Sequence, residues 1–94
     1  MMLQPNKTIL EGRFTEIVPR SDGFGADLEF FVIKSQAARG FDDFLRAPAN
    51  STIRLFSADT RGLRTGTAYR LTVTVLGGPQ GERAVIESAQ ALGR

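Results

Sequence analysis

Arginines and phenylalanines carry most of the chemistry open to this chain. Ten of its twelve basic residues are arginine, seven residues are phenylalanine, and there is neither a cysteine nor a histidine. Without histidine, the commonest general base and the commonest transition-metal ligand are missing. Without cysteine, disulfides and thiol chemistry are excluded. A Ser–Lys pair would need Lys7 or Lys34, and Lys34 and Ser35 are only sequence neighbours with no supporting motif. Gly77-Gly78-Pro79-Gln80-Gly81-Glu82 lacks the Gly-Lys-Ser/Thr ending of a phosphate loop. Gly23-Phe24-Gly25 lacks the third glycine of a dinucleotide turn, and both stretches read as simple turns. Asp42 and Asp43, if helical, would point about 100° apart, which suits an acidic first turn rather than a shared proton or metal. Asp27 and Glu29 share one strand face at roughly 7 Å, but no neighbour positions a substrate, so they read as a solvated face. Asn50-Ser51-Thr52 has the form of a glycosylation sequon, which matters only in a secreted chain. The expectation is a protein that is not an enzyme and holds neither cofactor nor metal.

Binding chemistry is better supplied. Residues 22–43 carry five carboxylates against Lys34 and Arg39, while residues 53–70 carry Arg54, Arg61, Arg64 and Arg70 against Asp59 alone. The net charge is only +2, and the pI of about 9.7 overstates it. Nothing titrates between the carboxylates and the tyrosine and lysines, so a small excess of cations moves the pI far. Arginine-rich composition also follows from a GC-rich genome.

The elements that must position these residues can be read from period and punctuation. A chain of 94 residues with 41% hydrophobic content supports one domain with one core. No apolar run reaches the length of a membrane span, and the polar start is no signal peptide, so a soluble cytoplasmic protein is expected. Residues 1–7 are expected to be a flexible arm and residues 8–94 a single domain. Tyr69, Leu71, Val73 and Val75 alternate with Arg70, Thr72 and Thr74, the period of a strand with one buried face. Gly77–Gly81 breaks that run, and Ala84–Ala89 returns as its hairpin partner. Thr8–Val18 is a first strand with Leu10, Gly12 and Phe14 on one side. Ile17 breaks its alternation, which predicts either a bulge near Thr15 or a bend at Gly12. After the turn cluster Pro19–Gly25, Ala26–Ile33 is a second strand with Leu28, Phe30 and Val32 inward. Its outer face leaves Phe31 and Ile33, expected under a helix or in a subunit contact. Phe41, Phe44 and Leu45 have helical spacing, predicting a short helix within Gln36–Arg46 that Pro48 ends. Ser51–Ser57 is a third strand, with Ile53 and Leu55 inward and Arg54 and Phe56 outward.

Five strands, one short helix and no βαβ alternation predict an all-β fold, a small five-stranded antiparallel barrel. Over residues 8–92 the chain resembles the OB-fold superfamily in strand order, in Leu63-x-x-Gly66-x-x-Tyr69 before the fourth strand, and in the closing run VIESAQAL. The predicted helix falls between strands 2 and 3, where the family usually has it between strands 3 and 4. An SH3-like or other five-stranded barrel is the alternative. The resemblance implies a ligand face on strands 2 and 3 and the loops joining 1–2 and 4–5. Aromatic planes with interleaved arginines suit single-stranded DNA or RNA, one stack per base and one cation per phosphate. The expected contacts are Arg13, Phe24, Arg54, Phe56, Arg61, Arg64, Arg70 and Arg83. Asp27 and Glu29 on the same face would repel phosphates. The competing expectation is a protein-interaction or homo-oligomeric module with Phe31 and Ile33 in the interface. A small-molecule pocket in the barrel mouth is the weaker third.

Overall fold

A computed structural model describes residues 5–78 and 81–93 of the chain. Five strands are present: β1 (Thr8–Pro19), β2 (Ala26–Ala37), β3 (Thr52–Ser57), β4 (Ala68–Gly78) and β5 (Gly81–Ala91). They join in the order β1-β2-β3-β5-β4, and β4 closes the ring on β1. Neighbours run antiparallel except β3 and β5, which meet in parallel at Phe56 and Val85. The sheet is therefore mixed, which corrects the purely antiparallel expectation. A parallel contact is possible here because β4 intervenes in sequence between β3 and β5.

Alternation placed the core correctly. Leu10 and Phe14 of β1, Leu28, Phe30 and Val32 of β2, Leu55 of β3 and Tyr69, Leu71 and Val73 of β4 are buried together. The Phe14 ring meets Phe30 edge-on at 5.0 Å and Tyr69 at 5.4 Å. The Tyr69 hydroxyl donates to the Gly62 carbonyl at 2.7 Å and accepts from the Arg64 N–H at 3.0 Å. That pairing ties the chain between β3 and β4 to the floor of the core.

The bend in β1 has two causes, not one. Pairing with β2 slips between Glu11 and Gly12, leaving Ile33 as an extra residue on β2. It slips again between Phe14 and Glu16, leaving Thr15 extra on β1. Each extra residue increases local twist. Gly12 sits where the backbones crowd: a Cβ there would lie 1.9 Å from the Phe31 carbonyl oxygen. Coiled in this way, β1 pairs with β4 through residues 8–13 and with β2 along its whole length.

The expected helix over Gln36–Arg46 is absent; no helix occurs among the described residues. Gln36 and Ala37 instead extend β2 to pair with Ile9 and Thr8. Gly40, Arg46 and Asn50 then take φ of 84°, 51° and 65°, the left-handed region that ends a right-handed helix. The Asp43 carboxylate accepts from the Thr8 hydroxyl at 2.7 Å and the Arg46 N–H at 3.0 Å, holding the segment as irregular chain. Of the apolar triad read as a helical stripe, Leu45 packs against the core, whereas Phe41 is exposed beneath the Lys7 ammonium.

Part of the expected N-terminal arm is anchored. Asn6 is buried; its amide donates to the Val75 carbonyl and its carbonyl oxygen accepts from the Val75 N–H. Lys7 pairs with Glu87 at 3.2 Å. The turn expected over Gly77–Gly81 joins β4 to β5, and its centre, Pro79 and Gln80, lies outside the described residues. Among the described residues no helix is long and apolar enough to cross a membrane.

Candidate binding face

The outward residues of β1, β2, β3 and β5 line up across strands. By register, Val18, Asp27, Phe56 and Val85 form one row, Glu16, Glu29 and Arg54 a second, and Arg13, Phe31 and Thr52 a third. Strand alternation places these side chains opposite the core positions Ile17, Leu28, Phe30 and Leu55. Two shallow grooves run over the face. One of about 280 Å³ is lined by Glu16, Val18, Asp27, Leu28, Glu29 and Arg54. The other, of about 260 Å³, lies among Asp27, Arg54, Phe56, Glu82 and Arg83, so Asp27 and Arg54 stand between the two.

Phe56 is the centre of this surface. The Arg83 guanidinium lies 4.4 Å from its ring centroid and the Arg20 guanidinium 5.4 Å. Arg83 comes from the start of β5 and Arg20 from the β1–β2 connection, so one aromatic ring gathers both. Arg20 also reaches Asp22 and Asp27, each at 3.8 Å. The connection is held against β3 at Gly25, whose φ of 82° and lack of a Cβ both matter: a Cβ would lie 2.3 Å from the Ser57 carbonyl oxygen. Arg54 is exposed and makes no ion pair among the described residues, although its neighbour across the strands is Glu29. Glu16 faces Glu29 directly, a like-charge juxtaposition that disfavours the sheet slightly. Carboxylates and guanidinium groups therefore alternate over the face.

The residues expected to contact nucleic acid do not form one cluster. Arg54, Phe56 and Arg83 do come together. Arg13 is on the same face but lies over Phe31, 4.9 Å from its centroid, so Phe31 is half-covered and Ile33, its expected interface companion, is a separate exposed bulge residue. Phe24 stands apart at the tip of the β1–β2 connection, 76% exposed. Arg70 is on β4, outside both grooves, in an ion pair with Glu11 of β1 at 2.9 Å. Arg61 and Arg64 lie in the connection between β3 and β4. Arg61 donates from both its side chain and its N–H to the Asp59 carboxylate. That contact, chiefly the guanidinium hydrogen bond, lowers Asp59 to about 2 and raises Arg61. Arg20, Glu16 and Glu82 belong to the face but were not singled out from sequence. Arg20 carried a weak signal, as a cation in a turn expected to flank the ligand surface.

A third and larger groove, about 490 Å³, opens between β5 and the chain from Ser57 to Leu63, with Tyr69 at its base. β3 ends at Ser57 and, among the described residues, pairs with β5 only at Val85, so Ile86–Ala91 extend beyond it beside β4. Ala89 and Ala91 pair with the buried Leu71 and Tyr69, yet both are exposed because the ring gapes here. Glu87, at a bulge on this strand, is held below the usual carboxylate range by the Thr74 hydroxyl and then by Lys7. Among the described residues no cluster of three or more acidic, histidine or cysteine side chains is placed to hold a metal ion. Compared with known protein families, curated proteins and solved structures, the chain matches none.

Proposed function

We propose that this chain is a non-catalytic binding module on an OB-like barrel, and that the outer face of β1, β2 and β3 docks a partner protein. The ring order, with β3 beside β5 and β4 closing on β1, supports the OB-like reading. The observation that carries the choice of ligand is the alternation of charge around Phe56. Glu16, Asp27, Glu29 and Glu82 stand among Arg13, Arg20, Arg54 and Arg83. A polyanion would meet as many repelling groups as attracting ones, whereas a protein surface can offer both signs in register. Phe56, with guanidinium groups over it, is the kind of aromatic–arginine centre that carries protein interfaces.

Single-stranded nucleic acid is the second reading, favoured by the grouping of Arg54, Phe56, Arg83 and Arg20 where such barrels bind oligonucleotides. A photoreactive residue at position 54, with position 72 on β4 as the control, separates the two in cell extract. A protease-sensitive, nuclease-resistant adduct specific to position 54 is expected. A nuclease-sensitive adduct would transfer the assignment to nucleic acid; no adduct, or equal labelling at both positions, would remove the face from consideration. For the second reading, labelled oligo-dT should bind at about 50 mM salt, weaken on the order of tenfold by about 200 mM, and lose binding in Arg54→Glu.

A further inference from the structure

We propose that the chain forms a two-fold dimer in which Phe24 of each copy enters the groove between β5 and residues 57–63 of the other. Phe24 is displayed rather than merely exposed. The Asp22 carboxylate accepts its N–H at 2.9 Å, the Arg20 carbonyl accepts the Gly23 N–H, and the Gly25 carbonyl accepts the Arg20 N–H. These bonds close a short finger with the exposed Phe24 at its tip and its base fixed on β3 by Gly25. An ordered aromatic in that position loses little conformational entropy when it is covered.

The groove has room for it: Ala58, Ala89, Ala91 and Leu63 are small or apolar walls above Tyr69, set among the polar Ser57, Ser88 and Glu87. Finger and groove adjoin on one end of β3: Gly25 abuts Ser57 and Ala58, and both of those line the groove. With finger and groove on the same end of the molecule, two copies can exchange fingers about a two-fold axis, so that the contact is made twice and closes. The charges are self-complementary as well. The finger carries Arg20 and Asp22, 3.8 Å apart, and the groove lip carries Asp59 and Arg61, 2.9 Å apart. Asp22, Asp59 and Arg61 have side chains at least half exposed, so Asp22 of one copy can face Arg61 of the other while Arg20 faces Asp59. A second copy is thus the occupant that supplies both the aromatic ring and the opposite charge order.

Sedimentation equilibrium from micromolar to millimolar protein tests this. The wild type should shift from monomer to dimer, and Phe24→Asp and Ala89→Trp should each remain monomeric. Mixing those two variants should restore a heterodimer, because one keeps the groove and the other the finger. The double variant Asp59→Arg, Arg61→Asp keeps its local ion pair but inverts the lip. It should dimerise at least fivefold more weakly at low salt, and the deficit should vanish at high salt. Should Ala89→Trp fail to fold, Phe24→Asp and the inverted lip decide. A wild type that stays monomeric at millimolar concentration, a Phe24→Asp dimer as tight as wild type, or an inverted lip without salt-dependent effect would overturn the proposal. The dimer contact shares Arg20 with the outer face of β1, β2 and β3 but uses neither Arg54 nor Phe56, so a monomeric result leaves crosslinking at position 54 as a separate question.

Discussion

At the scale of single residues, the arginines do less for ligands than their number suggests. Arg61 is held by Asp59, Arg70 by Glu11, Arg13 lies over Phe31, and Arg20 and Arg83 lie over Phe56. A guanidinium group stacks on a ring and pairs with a carboxylate through the same flat shape, so these partners were available inside the fold. None of these pairings was read from the sequence: Arg61 was expected to contact nucleic acid although Asp59 stands two residues away, and the other partners are distant in the chain. That local pair can be tested directly. Asp59 should titrate in the folded protein near pH 2, and Arg61→Ala should return it to the ordinary aspartate range. Carbon NMR of the Asp59 carboxyl reads both. Its folded value is depressed, so its contribution to stability is present above the unfolded value and is lost as pH falls through the folded one. An ordinary titration midpoint in the wild type would discard the pairing.

At the scale of elements, the strands were readable and the connection between β2 and β3 was not. Period-2 alternation located the inward residues of β1, β2, β3 and β4, since burial on one side of a pleat leaves a direct mark on composition. Phe41, Phe44 and Leu45 mimicked a helix because three apolar residues at that spacing also satisfy an irregular segment that touches the core once. What overrode the pattern was non-local: β2 kept pairing with β1 through Ala37, and Thr8, thirty-five residues away, bound Asp43. The bend in β1 turns on Gly12. Alanine there would ordinarily stabilise by reducing freedom in the unfolded chain, but its Cβ would sit 1.9 Å from a backbone oxygen that cannot step aside. Gly12→Ala should therefore cost about 1–3 kcal/mol, the range for overpacking. For a domain of this size each kcal/mol lowers the melting temperature by about 4–8 °C. Calorimetry showing an equal or higher midpoint would mean that β1 and β2 do not approach in this way.

At the scale of the whole molecule, closure depends on strands far apart in sequence. Glu11 pairs with Arg70, fifty-nine residues on, and β4 must be in place before β1 has its second neighbour. Chain entropy is lost before such contacts form, so folding should take milliseconds to seconds rather than microseconds, as for other non-local β folds. Stopped-flow refolding monitored by Tyr69 fluorescence would measure it, and a microsecond phase carrying the full amplitude would contradict the ring. The sequence by itself determined the strand content, most of the core and the exclusion of histidine and cysteine chemistry, because alternation and composition are local properties. Only the tertiary structure decided that β3 and β5 run in parallel, that Arg20 and Arg83 meet over Phe56, and that Phe24 stands beside an open groove. Those facts rest on which strands become neighbours when the ring closes, and spacing along the chain carries no record of distances across it.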